Sequence, residues 1–139
     1  MGIAKSQFNN ILNDIFKVGN KIDLFSTMPN ASTESGAVKI SGAGYESHII
    51  ESGDFSVNSG SVQSSSNMMF YLCENQVGHG VAKGFGVYSK DDNQLLYFGE
   101  FETPMTIAYN TIPTIKRYNG SGEGIKITMT STEAAVAAE

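Results

Sequence analysis

The chain has 139 residues, enough for one hydrophobic core, and a formal net charge of -5. Ser (16), Gly (15), Asn (11) and Thr (9) together make 51 of those residues, a composition that disfavours helix interiors and excludes a helical bundle. Nine scattered Lys and Arg do not form the basic stripe that a nucleic-acid groove requires.

The first element is an amphipathic helix within 1–19. Phe8, Ile11, Leu12, Ile15 and Phe16 recur at helical spacing, with Asn9, Asn10, Asn13, Asp14 and Lys17 on the other face. Ser6 is placed to cap it, and Gly19 ends it. The apolar stripe suits the chain's own sheet first and a neighbouring subunit second. Under the second reading its five residues are candidate partner-interface positions.

From residue 20 the period changes to 2. Ile22 and Leu24 alternate with Asp23 and Phe25 in a first strand. A polar loop follows at 26–36, and Val38 and Ile40 mark another strand before Gly42-Ala43-Gly44 breaks it. Residues 45–51 read as a strand, and Phe55 with Val57 as a short one. The Ser-, Gly- and Gln-rich stretch 59–67 reads as a loop around Val62. Residues 67–73 are the most apolar run and predict a central strand buried on both faces. Residues 81–88 and 95–101 are strands joined by a Lys90-Asp91-Asp92-Asn93 hairpin turn. Residues 103–109 form a separate strand, with Pro104 at an edge or a strand beginning. Asn110-Thr111 turns the chain into 112–116, 119–124 is a loop, and Ile125, Ile127 and Met129 close the β region. An Ala-rich arm at 130–139 is either a short helix or a segment ordered against a partner.

The expected fold is mainly β: one domain over 1–139, with an antiparallel sandwich or jelly-roll-like barrel at 20–129. No stretch approaches the roughly 20 apolar residues of a membrane helix. No signal segment is readable, so folding in a cytoplasm is expected. The lone Cys73 sits in the apolar run and reads as a core residue.

Chemistry-bearing groups are sparse. His48 and His79 lack partners at metal-ligand spacing. Asp91 and Asp92 lack the remaining ligands of a calcium loop. Gly78 to Gly84 resembles a phosphate loop, but Lys83 stands at the wrong place in it. Glu100 and Glu102 lie two apart on a strand, as glycosidase carboxylates could, and a solvated sheet face explains both. No nucleophile, base and orienter can be assembled, and no cofactor is expected. A structural or binding protein is the expectation.

The order of motifs supplies a family. Asn10-Ile11-Leu12-Asn13-Asp14-Ile15-Phe16 leads into Ile22-Asp23-Leu24-Phe25-Ser26-Thr27-Met28-Pro29. Val38-Lys39-Ile40-Ser41-Gly42-Ala43-Gly44-Tyr45 follows. Phe85-Gly86-Val87-Tyr88, then Leu95-Leu96-Tyr97-Phe98-Gly99-Glu100-Phe101-Glu102-Thr103-Pro104-Met105-Thr106-Ile107, and finally Gly124-Ile125-Lys126-Ile127-Thr128-Met129 complete it. Over most of its length the chain resembles a family of small virion proteins of tailed bacteriophages, often labelled tail fibre proteins. It departs from them at Glu46-Ser47, in a Met-rich centre without Trp, and in a more polar Ile115-Lys116-Arg117-Tyr118.

The resemblance implies a non-enzymatic β-sandwich built into a virion. The leading expectation is a capsid decoration or cement protein that assembles in the host cytoplasm, forms homo-oligomers and packs on the major capsid protein or other virion proteins. The alternative is a tail or head fibre component, or an adhesin that touches a host-surface glycan. No membrane partner is expected. Met28, Pro29 and Pro104 join the helix stripe as candidate partner-interface residues.

Overall fold

A computed structural model describes residues 4–129; the arm expected at 130–139 lies outside the described residues. The apolar stripe produces helix α1, Phe8–Ile15, preceded by a 3-10 turn over Lys5–Gln7. Ser6 is therefore inside that turn and is not the cap expected of it; no side chain caps α1 at its start. The other end is capped from a distance. The buried Asn20 amide donates to the Asp14 and Ile15 carbonyls at 3.3 and 2.9 Å, and its Oδ1 accepts the Lys90 N–H at 3.0 Å. Gly19 takes the left-handed φ of +96° expected of it.

Ten strands are described: β1 Lys21–Thr27, β2 Val38–Lys39, β3 His48–Ile49, β4 Phe55–Asn58, β5 Ser61–Ser64, β6 Met68–Met69, β7 Gly80–Tyr88, β8 Leu95–Ile107, β9 Thr114–Ile115 and β10 Lys126–Thr128. All pairings are antiparallel. The main sheet runs β2-β1-β7-β8, with β3 also on β1; β10-β5-β4 forms a second sheet and β6-β9 a small third one. The fold is the expected antiparallel sandwich.

The strand buried on both faces is β1, and not 67–73 as the sequence suggested. Ile22, Asp23, Leu24 and Phe25 are all buried. Ile22 and Leu24 enter the core with Phe85 and Val87. Phe25 lies on the opposite face over Gly86, where an added Cβ would sit 2.5 Å from its ring. Burying each such side chain contributes about 1.5–3 kcal/mol. Residues 67–73 form only the two-residue β6 because their backbone partners are loop atoms: Phe70 N–H bonds Pro113 and Cys73 N–H bonds Thr111. Met68, Phe70, Tyr71 and Cys73 still point into the core, as the apolar run required.

Residues 59–67 are also corrected. Ser59 and Gly60 hold φ of +51° and +77°, and Asn58 pairs with Ser61. That is a two-residue primed hairpin turn, and it makes β5 a strand with Val62 fully buried. Residues 95–101 and 103–109 are one strand, β8. Lys83 on β7 faces the four residues 101–104, so a large bulge absorbs Pro104 at the sheet edge.

Candidate functional site

The eight expected interface residues divide by burial. Phe8, Leu12, Phe16 and Pro29 are buried, Ile11, Ile15 and Met28 are half-buried, and Pro104 alone is exposed. Leu12 and Phe16 belong to the core, and Phe16 packs on Phe55 with ring centroids 4.7 Å apart. Asn9 Oδ1 accepts the Gly60 N–H at 2.8 Å, fixing α1 to the β4–β5 turn. The helix stripe is thus spent on the chain's own sheet, the first of its two readings. This corrects Phe8, Leu12, Phe16 and Pro29 as partner contacts, because their surface is already covered by the chain itself.

Two other surfaces stand out. The first is an apolar crown where segment 68–81 is laced to 107–115. Phe70, Cys73 and His79 donate backbone bonds to Pro113, Thr111 and Ile107, and Asn110 donates back to Cys73, all at 2.9 Å. Six of the nine exposed large apolar side chains among the described residues come from these segments: Met69, Leu72, Val77, Val81, Tyr109 and Ile112. Val77 is 90% exposed. The buried neighbours Met68, Phe70, Tyr71, Cys73, Ile107 and Ile115 anchor the backbone beneath them. Under the crown the Tyr71 hydroxyl meets His79 Nδ1 at 2.8 Å. Burial pushes the Tyr71 hydroxyl up to about 12, with Cys73 adding to the shift.

The second surface, among the described residues, is a groove of about 950 Å³ between β8 and β10. Phe85, Tyr97, Phe101, Met105, Glu100, Glu102, Lys116, Tyr118, Glu123 and Lys126 are among its lining residues. Phe101 stacks on Phe85 at 5.7 Å and 27°. The wall at 116–124 is internally braced: Asn119 donates to Glu123 at 2.7 Å and accepts the Ser121 N–H at 2.7 Å. Lys116 reaches Glu123 at 2.8 Å, a contact that raises the lysine and lowers the carboxyl.

The buried carboxylates lie elsewhere, and their oxygens are taken up by bonds that hold the fold. Asp23 accepts the Tyr45 hydroxyl at 2.6 Å and the Ser47 hydroxyl, with Lys39 at 3.2 Å. Burial, then the bond and charge of Asp23, push the Tyr45 hydroxyl far above its ordinary range. Burial pushes Asp54 upward, but the Glu51 N–H, His48 and Ser66 outweigh it and hold the carboxyl below its usual value. Glu100 and Glu102 are both exposed. Among the described residues, no three His, Cys, Asp or Glu are grouped to hold a metal ion.

Sequence reasoning missed both surfaces. The crown needs two segments about 40 residues apart to be laced together, and the groove needs the bulge in β8. The one available signal was the exposed-looking Val77 and Ile112 beside Gly and Asn turns. Comparison with protein-family models, curated proteins and solved structures finds no match for this chain.

Proposed function

We propose that the protein is a non-enzymatic structural component of a tailed-phage virion, a decoration protein that packs on the capsid shell and stiffens it. The observation that carries this reading is the crown. Exposed apolar side chains on a hydrogen-bonded backbone suit a docking face, because little order is lost when it is covered. Weak contacts repeated over many copies then sum to a firm clamp. The motif order of the chain supports the virion setting, and the thin surface charge suits close subunit packing.

The test is reconstitution on undecorated shells. Wild-type protein is expected to bind and to raise their heat resistance, while Val77→Asp and Leu72→Asp stay folded and fail to bind. Binding unaffected by both changes would remove the crown from the mechanism, and unchanged heat resistance would refute cementing. The groove favours a second reading, a tail or head fibre component or a receptor-binding adhesin. Copy number in purified virions separates the two: a number following the capsomers supports the shell, and one following tail symmetry supports the fibre. Absence from virions would overturn both.

A further inference from the structure

We propose that the groove between β8 and β10 binds a short, uncharged oligosaccharide. The proposal rests on the receptor-binding reading of that groove and not on the crown or on shell binding.

Its volume of about 950 Å³ falls in the range of ligand sites, roughly 300–1,000 Å³. Part of its lining is aromatic. Phe101 is half-buried, lines the groove and has Phe85 stacked against one side of its ring. Tyr97 is half-buried and packs on the other partner of that stack, Phe85, at 5.9 Å. Flat aromatic faces next to hydrogen-bonding groups match a sugar, whose ring carries C–H groups on its faces and hydroxyls at its edge.

The polar lining favours a neutral ligand over a charged one. Lys116 and Glu123 already neutralise each other, and Lys126 lies over the Tyr118 ring at 5.6 Å. Glu102, at the bulge, is exposed and lines the groove, so its carboxylate can accept from ligand hydroxyls. An anionic glycan would meet this like charge, whereas a neutral one meets an acceptor for its hydroxyl donors. The β8 bulge at 101–104 places Phe101 and Glu102 in the groove. Bulges of this kind commonly re-aim side chains at functional places. The braced wall at 119–123 means that binding orders little that was loose.

The test is a glycan array probed with the full chain, followed by titration of the best neutral hit. Binding is expected to fall at least tenfold in Phe101→Ala and in Glu102→Ala. It is expected to stay unchanged in Val77→Asp, which addresses the crown. Glu102 is exposed, so that variant keeps its fold even where Phe101→Ala does not. Three outcomes would overturn the proposal: no glycan bound, only sulfated or sialylated glycans bound, or a neutral hit insensitive to Glu102→Ala. Each is independent of the shell-binding result.

Discussion

Tyr45→Phe removes one oxygen and tests how the buried carboxylate in β1 is tolerated. Asp23 is 4% exposed and depends on Tyr45, Ser47 and Lys39 for its partners. The same tyrosine oxygen also accepts the Leu24 N–H at 3.3 Å. A hydrogen bond to a charged group is worth about 1.5–3 kcal/mol, so a loss of roughly 2 kcal/mol is expected. For a domain of this size that is roughly 8 °C in Tm. Tyr71→Phe is the matched control: its hydroxyl meets a ring nitrogen of His79 instead of a carboxylate, and roughly 1 kcal/mol is expected. Urea titrations followed by circular dichroism give both values. The pH dependence gives a second check. Tyr45 is raised above its ordinary pKa of about 10, so its contribution is complete below pH 10 and fades above it. The gap between wild type and Tyr45→Phe is therefore expected to narrow as pH climbs past 10. A Tyr45→Phe cost no larger than that of Tyr71→Phe would refute the reasoning.

Leu12→Ala in the isolated protein is expected to cost about 2–5 kcal/mol, because Leu12 is 2% exposed within the core; unaltered stability would return the helix stripe to a partner role. Asp54→Ala forfeits bonds to the Glu51 N–H, His48 and Ser66, and a loss of roughly 2 kcal/mol is expected near neutral pH. The Asp54 carboxyl is depressed, so this contribution holds above the unfolded pKa of about 4 and disappears as pH falls below it. Acid titrations of wild type and variant should then converge, and parallel curves would count against the assignment. Gly86→Ala is expected to cost about 1–3 kcal/mol by overpacking Phe25, measurable as a lowered urea midpoint; a neutral effect would mean that the ring moves aside freely.

Much of the fold was legible where local pattern and tertiary demand agree. Phe8, Leu12 and Phe16 announced a one-faced helix, and 90–93 announced the hairpin between β7 and β8. Legibility failed where a residue's partner lies far along the chain. Asp23 looks solvent-facing beside Ile22 and Leu24, until Tyr45, Ser47 and Lys39 close over it. Val62 sits among serines that read as a loop, although Asn58-Ser59-Gly60 spells the turn that makes β5 a strand. Residues 67–73 are apolar because of the core they enter, while their hydrogen bonds go to 111–115, which no local pattern reveals. The groove was the least legible, since Pro104 signals an edge but not the size of the bulge around it.

The pairing of β1 with β7 also constrains how the protein is made. Ile22 to Phe25 leave the ribosome early, yet their partners at 84–87 are translated some 60 residues later. Until then this strongly apolar strand has only the two-residue β2 and β3 along one edge and nothing along its β7 edge, while α1 and the β4–β5 hairpin already have each other. Non-local pairing of this kind slows folding and leaves sticky intermediates. Nascent chains stalled before residue 80 should bind a holdase chaperone through 22–25. Those stalled after 107 has cleared the exit tunnel should release it.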